Sequence, residues 1–170
     1  MNECIESIIS GCKELSDSLS EKPDAISFAF PGPADYRNGI IGDLPNLPAF
    51  RGGVPLAAIL EEEFGIPVFI NNDGDLFALG ESKNGFLSKI NQMLADSGSN
   101  KRYNNLIGIT LGTGCGVGIT INGQLLEGDN SAEAEGWLIR NKQYNYSIME
   151  DTIIMRLIKR MYEEQVNIDP

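Results

Sequence analysis

The sequence predicts an α/β fold, with a parallel α/β layer followed by a β-rich region. Three observations predict it. Helical and strand patterns alternate from residue 3 to residue 70. A polar triplet, Asn71-Asn72-Asp73, follows a short apolar run, and a glycine-rich segment, Gly112 to Gly118, joins two β-rich runs.

Ile5, Ile8, Ile9, Cys12, Leu15 and Leu19 recur at helical spacing and predict an amphipathic helix over 3–19. Cys4 and Cys12 are expected to pack in the core. Residues 20–24, with Pro23, close that element, and residues 25–30 (AISFAF) predict a short buried strand ending at Pro31-Gly32-Pro33. Residues 34–53 are rich in Gly, Pro and Asn, which predicts an ordered loop or short extended pieces. A loop of that length is usually functional or mobile. Leu56, Ile59, Leu60 and Phe64 mark a helix that stops at Gly65, with Pro67 beyond it. Val68-Phe69-Ile70 is the next strand, and Asp75 is placed to cap a helix starting at Leu76. Phe86, Ile90 and Leu94 predict a further helix. The polar stretch 96–105 reads as an exposed connection and a lobe boundary, dividing the chain into residues 1–100 and 101–170. Leu106–Leu111 and Val117–Ile121 then read as strands, and Asn122-Gly123 as a hairpin turn into Gln124-Leu125-Leu126. Ile154, Leu157, Ile158 and Met161 form one face of a last helix.

The chain has 170 residues, 42% of them hydrophobic, which suits one domain or a domain plus part of a second. Its net charge of -11 argues against nucleic acid and anionic membrane surfaces, both of which need clustered Lys and Arg. No apolar run approaches a membrane span and no basic leader opens the sequence, so a cytoplasmic location is expected. Three cysteines without a CxxC pair suggest neither disulfides nor structural zinc. Histidine is absent, which excludes Ser-His, Cys-His and His-metal chemistry. A carboxylate, Lys or Tyr must then carry any proton transfer.

Closely spaced glycines let backbone N–H groups converge on phosphate oxygens. The segment after Gly116 is strand-like, so it is no dinucleotide fingerprint, and it has no Gly-Lys-Ser/Thr of a P-loop. It reads either as a phosphate-holding hairpin of the actin-like kinase type, offering Thr113 and bare amides, or as glycines needed for tight packing. Asn71-Asn72-Asp73 sits where α/β sheets place ligands, at the C-terminal end of a buried strand. The dipole of the next helix favours the Asp73 charge, and such a carboxylate can accept a hydroxyl proton. Asp73 can equally shape a turn or cap the helix. Gly32 and Asn46, in Pro31-Gly32-Pro33 and Asn46-Leu47-Pro48-Ala49-Phe50, read as pocket-lining loops or plain turns. Glu133 and Glu135 follow the hairpin, and a solvated acidic surface is the usual fate of Glu.

The order and spacing of "FAFPGPADYRNGIIGDLPNLPAFRGG", "GIPVFINNDGDLFALGE" and "NNLIGITLGTGCGVGITINGQLLEGDNSAEAE" resemble the ROK family of sugar kinases and repressors, its glucokinase-like members above all. The resemblance covers nearly all of residues 25–136, and "NNDG" with "LGTGCGVG" is its most diagnostic pair. It implies the actin-like (ribonuclease H-like), two-lobed kinase fold, closing around a sugar and ATP with Mg²⁺. Asp73 matches the catalytic base, and Asn72 the neighbour that hydrogen-bonds a sugar hydroxyl. Gly112, Thr113, Gly114 and Gly116 match the loop that holds ATP phosphates. Glu135 falls where the family places a sugar-binding Glu, and Gly32 and Asn46 lie in matching pocket loops.

Departures from the family pattern qualify these expectations. The family's sugar-contacting His is missing, with Leu138 nearest its place, and its Cys-rich zinc motif is absent, so no zinc is expected. No Asp-x-Gly-Gly-Thr phosphate loop or adenine-gripping segment has a counterpart, so the chain reads as an internal or truncated portion, about half of a family member. The expected function is phosphoryl transfer from ATP to a hexose hydroxyl, inactive in this portion alone. The alternative is a non-catalytic sugar-binding sensor of the same family. Family members are commonly dimers or larger, although no interface signal stands out here.

Overall fold

In the computed structural model, which describes residues 3–32, 34–43, 47–112, 114–129, 134–142, 146–153 and 155–166, the chain folds as two compact units, Met1–Asn72 and Asp73–Pro170. The first unit runs α1 (Glu3–Ser18), β1 (Ile26–Ala29), β2 (Ala34–Asp35), β3 (Ile40–Ile41), a 3-10 turn (Pro48–Phe50), α2 (Leu56–Phe64) and β4 (Val68–Asn71). β1 and β4 pair in parallel, Ile26 opposite Val68 through Ala29 opposite Asn71. This is the predicted parallel layer. Residues 34–53 contain short extended pieces, as expected: β2 and β3 form an antiparallel pair, and Val54 bridges Ile41.

One apolar cluster organises this unit. Ile5 and Ile9 of α1, Ile41, Phe50, Leu56, Ala57 and Leu60 of α2, and Val68 and Ile70 are all buried. Phe50 is packed edge-to-face on Phe30, with ring centroids 4.9 Å apart, a preferred aromatic geometry. Leu15 and Leu19 share the helical spacing of Ile5 and Ile9 but are exposed, so the apolar face of α1 is used only over its first half. Gly65 ends α2 in the left-handed region at φ 66°, and its N–H bonds to the Glu61 carbonyl; glycine is the residue best suited to that turn. Gly39, at φ 64°, faces Ala57: its carbonyl accepts the Ala57 N–H at 3.1 Å, and a Cβ there would collide with the Ala57 Cβ.

The second unit runs α3 (Asp73–Lys83), α4 (Phe86–Asp96), β5 (Leu106–Leu111), β6 (Cys115–Ile121), β7 (Gln124–Leu125), a 3-10 turn (Gly136–Leu138), α5 (Glu150–Ile153) and α6 (Met155–Val166). β5, β6 and β7 form an antiparallel sheet in that order. Asn122 and Gly123 both have positive φ, 53° and 72°, as the predicted two-residue hairpin turn requires. Residues 97–105 link α4 to β5 inside this unit, whereas the packing division falls at Asn72–Asp73. Helix α3 starts at Asp73, not at Leu76. Asp75 is therefore a buried first-turn residue rather than the expected cap. Along β5, Ile107, Ile109 and Leu111 are exposed, while Gly108, on the opposite face, is covered by Ala78 of α3. Among the described residues, no helix is long and apolar enough to cross a membrane.

The glycines in left-handed turns separate conformational strain from crowding. Gly65→Ala should cost about 1–2 kcal/mol, the penalty of a Cβ in the left-handed region. Gly39→Ala adds the collision with Ala57 and should cost about 2–5 kcal/mol. Urea denaturation of the two variants checks this; equal losses would remove the packing role of Gly39.

Candidate functional site

In the first unit, β4 ends at Asn71, whose side-chain Oδ1 accepts the Asn72 N–H at 2.7 Å. The Asn72 Nδ2–H donates to Tyr36 Oη at 3.2 Å, and the Tyr36 hydroxyl donates to the Phe30 carbonyl at 2.8 Å. Gly32 lies against the same pair: a Cβ there would stand 3.1 Å from Tyr36 Oη and 3.7 Å from Asn72 Nδ2. Gly32 and Asn72, separated by 40 positions, are thus brought together at the ends of adjacent parallel strands. Tyr36 is the residue that sequence reasoning missed. Nothing in its loop context separates a tyrosine that bridges two strand ends from an ordinary surface tyrosine. Asn46 lies outside the described residues.

In the second unit, Asp73 opens α3, and its exposed side chain accepts the Gly74 N–H at 3.0 Å. Gly74 and Asp75 are buried beneath it. Their burial follows from missing side chains on the sheet. A Cβ at Gly118 would stand 2.5 Å from the Gly74 carbonyl oxygen, 2.8 Å from Ala78 Cβ and 2.9 Å from Asp75 Cα. A Cβ at Gly108 would stand 3.0 Å from Ala78 Cβ. Gly116 lies in β6 opposite Thr110, 3.6 Å by the same measure from Gly74 Cα. Within the glycine-rich segment Gly118 therefore has a packing role, which it shares with Gly108 of the neighbouring strand β5, and Gly116 faces the turn that carries Asp73.

The tip of the hairpin differs from a row of bare amides. The Gly112 N–H donates to the Gly114 carbonyl at 3.0 Å, and the Cys115 N–H donates to Glu150 Oε2 at 3.2 Å. A Cβ on Gly112 would meet open space, whereas one on Gly114 would meet Glu150 Oε2 at 3.2 Å. Thr113 and Glu133 fall outside the described residues. Cys115 is buried, and burial first, then the Glu150 charge, pushes its thiol above the usual cysteine range.

Glu135 is exposed and accepts the Trp137 indole N–H. Its 3-10 turn packs against β6 through Gly136 and Val117. By strand alternation, Val117 belongs to the sheet face opposite Gly116 and Gly118, so this packing places the turn on the face away from α3. Leu138 is exposed. No group of three or more Cys, Asp or Glu side chains able to hold a metal ion gathers among the described residues.

The chain has the actin-like fold of the sugar kinases it superimposes on, of which it forms about half. The ROK family model matches residues 1–136, and the chain belongs to the ROK family. It is 33% identical over 122 residues to a glucokinase of Thermotoga maritima, covering 72% of this chain and 33% of that protein. A xylose repressor of Caldicellulosiruptor bescii is 31% identical over 103 residues, 61% of this chain and 22% of the repressor. Among solved structures, a glucokinase from Parabacteroides distasonis superimposes with a TM-score of 0.89 at 55% identity. That match covers 97% of this chain and 46% of the glucokinase. The chain thus spans half or less of the length of these relatives.

Two outcomes test the site's construction. Gly118→Ala should cost about 1–3 kcal/mol in urea denaturation, because the intruding methyl meets backbone and not a yielding side chain. Glu150→Gln should lower the pH midpoint of Cys115 alkylation, followed by mass spectrometry, because it removes the neighbouring negative charge that disfavours the thiolate.

Proposed function

We propose that this chain is the part of an ATP-dependent hexose kinase that carries the catalytic base, with Asp73 in that role. The observation that carries this reading is the exposed Asp73 side chain at the start of α3, a helix whose next residues, Gly74 and Asp75, pack on Gly116 and Gly118 of β6. ATP supplies the transferred phosphoryl group, and Mg²⁺ would arrive on the nucleotide. Asp73 takes the proton of a sugar hydroxyl as that oxygen bonds to the γ-phosphorus and the bond to the leaving ADP breaks. Asn72, held by Tyr36, orients the sugar, and Gly32 keeps the space beside it free of a side chain. Gly112, with open space beside it, offers the side of the hairpin tip at which phosphate oxygens would sit. Thr113, Gly114 and Gly116 complete that loop in the proposal, and Glu135 and Asn46 belong to its sugar-binding set. The similarity to glucokinases over most of this chain supports the reading. By itself the chain should be a poor kinase, because phosphoryl transfer depends on positioning and charge stabilisation from the whole site.

Similarity to a xylose repressor favours one second reading, a sugar-binding sensor. A sensor has no use for a base, so turnover decides between the two. In coupled ADP-release assays across hexoses, the full-length protein should turn over. Asp73→Asn should lower kcat about 10²–10⁴-fold while leaving sugar affinity within about threefold. Full activity in that variant would remove Asp73 as the base, and sugar binding with no turnover in the parent would establish the sensor.

A further inference from the structure

Two hydroxyls of the second unit, Thr120 Oγ1 of β6 and Ser82 Oγ of α3, are shut off from solvent and have no hydrogen-bond partner among the described residues. Thr120 is fully buried in the middle strand, paired with Leu106 on one side and Leu125 on the other. A serine inside a helix can satisfy its hydroxyl on the carbonyl four residues earlier. Ser7 does so in α1, donating to the Glu3 carbonyl at 2.9 Å, and Ser82 makes no such bond. An unmet hydroxyl in an apolar interior is costly, and one on each of two packed elements asks for a common cause.

The packing register brings the two together. A Cβ at Gly116 would lie 3.6 Å from Gly74 Cα, one at Gly118 would meet Ala78 Cβ at 2.8 Å, and one at Gly123 would lie 3.7 Å from Lys83 Nζ. Positions 74, 78 and 83 of the helix therefore follow the order of 116, 118 and 123 on the hairpin, and α3 runs along β6 in the same direction. Ser82 is one turn beyond Ala78, about 6 Å further on the same helix face. Thr120 is two residues beyond Gly118, about 6.6 Å further on the same sheet face. Ser82 thus stands over Thr120, at the end of α3 that also reaches β7. The two hydroxyls do not bond to one another. A facing polar pair without a direct bond is the setting in which one water completes both.

We propose that a single buried water sits between α3 and β6, hydrogen-bonded to Ser82 Oγ and Thr120 Oγ1, and joins the later half of the helix to the sheet. A hydroxyl both donates and accepts, so the pair suits water and offers no charge to hold an ion. The Ala78 carbonyl points along the helix toward Ser82 and keeps a second lone pair that such a water can use as a third partner. The helix that begins at Asp73 is then seated in two ways: by backbone contact over Gly118 at its first turns, and by a hydrated polar link one turn further on. This link is independent of the chemistry at Asp73.

The test uses the full-length protein. Crystallographic density should show a water within about 3.2 Å of both hydroxyls, and Thr120→Val should remove it. Thr120→Val nearly keeps the side-chain volume but takes one partner from the water and leaves Ser82 unmet, so the thermal unfolding midpoint should fall by about 2–4 °C. Ser82→Ala is then compared in the parent and in the Thr120→Val background, so that the helix preference of alanine cancels. It should be more favourable by about 2–4 °C in the Thr120→Val background, where the serine hydroxyl has already lost its link. A raised midpoint in Thr120→Val would mark a dry, unpartnered hydroxyl and overturn the proposal. Equal effects of Ser82→Ala in the two backgrounds would also overturn it, as would density showing the two oxygens bonded directly with no water between them.

Discussion

The second unit depends on one close approach, that of α3 to the sheet over Gly108 and Gly118. Helix and strand backbones meet there with no side chain between them, so the helix start cannot shift without leaving van der Waals contact. Asp73 inherits its position from that contact. Glycines that suggest a ligand loop in sequence are here equally a packing surface. Gly118, with Gly108 of β5, seats the helix, Gly116 faces its first turn, and Gly112 borders open space.

The first unit solves a different problem with the same economy of parts. Two parallel strands end side by side, and the polar groups that leave them are tied to one another through the Tyr36 hydroxyl. An amide side chain held in this way has a fixed orientation. Local order in the two units thus comes from unlike sources, a hydrogen-bonded tyrosine in one and bare backbone contact in the other.

Much of this was legible in the sequence, for physical reasons that also explain the remainder. Helix α2 carries a clear apolar period and a glycine stop, and Asn122-Gly123 has a backbone preference strong enough to announce the hairpin. The start of α3 is ambiguous in the sequence because two aspartates, Asp73 and Asp75, both suit a helix beginning; burial of Asp75 decides between them, and burial is a tertiary fact. Leu15 and Leu19 keep a helical period that the fold leaves uncovered. Within the site, Asp73, Asn72 and the glycines stand out by type and spacing, whereas Tyr36 and Glu150 act through contacts across 36 and 35 positions. Pattern reasoning has no access to such pairs.

The sheet of the second unit is covered on the α3 side, while Ile107, Ile109, Leu111 and Ile121 are open to solvent. β5 is also its outer strand, with a row of backbone donors and acceptors facing outward among the described residues. Such a strand is a template for adding another strand. The net charge of -11 opposes that pairing between copies by mutual repulsion. Salt weakens the repulsion but leaves the apolar surface unchanged. Low ionic strength therefore opposes the joining of two such edges, and added salt weakens that opposition.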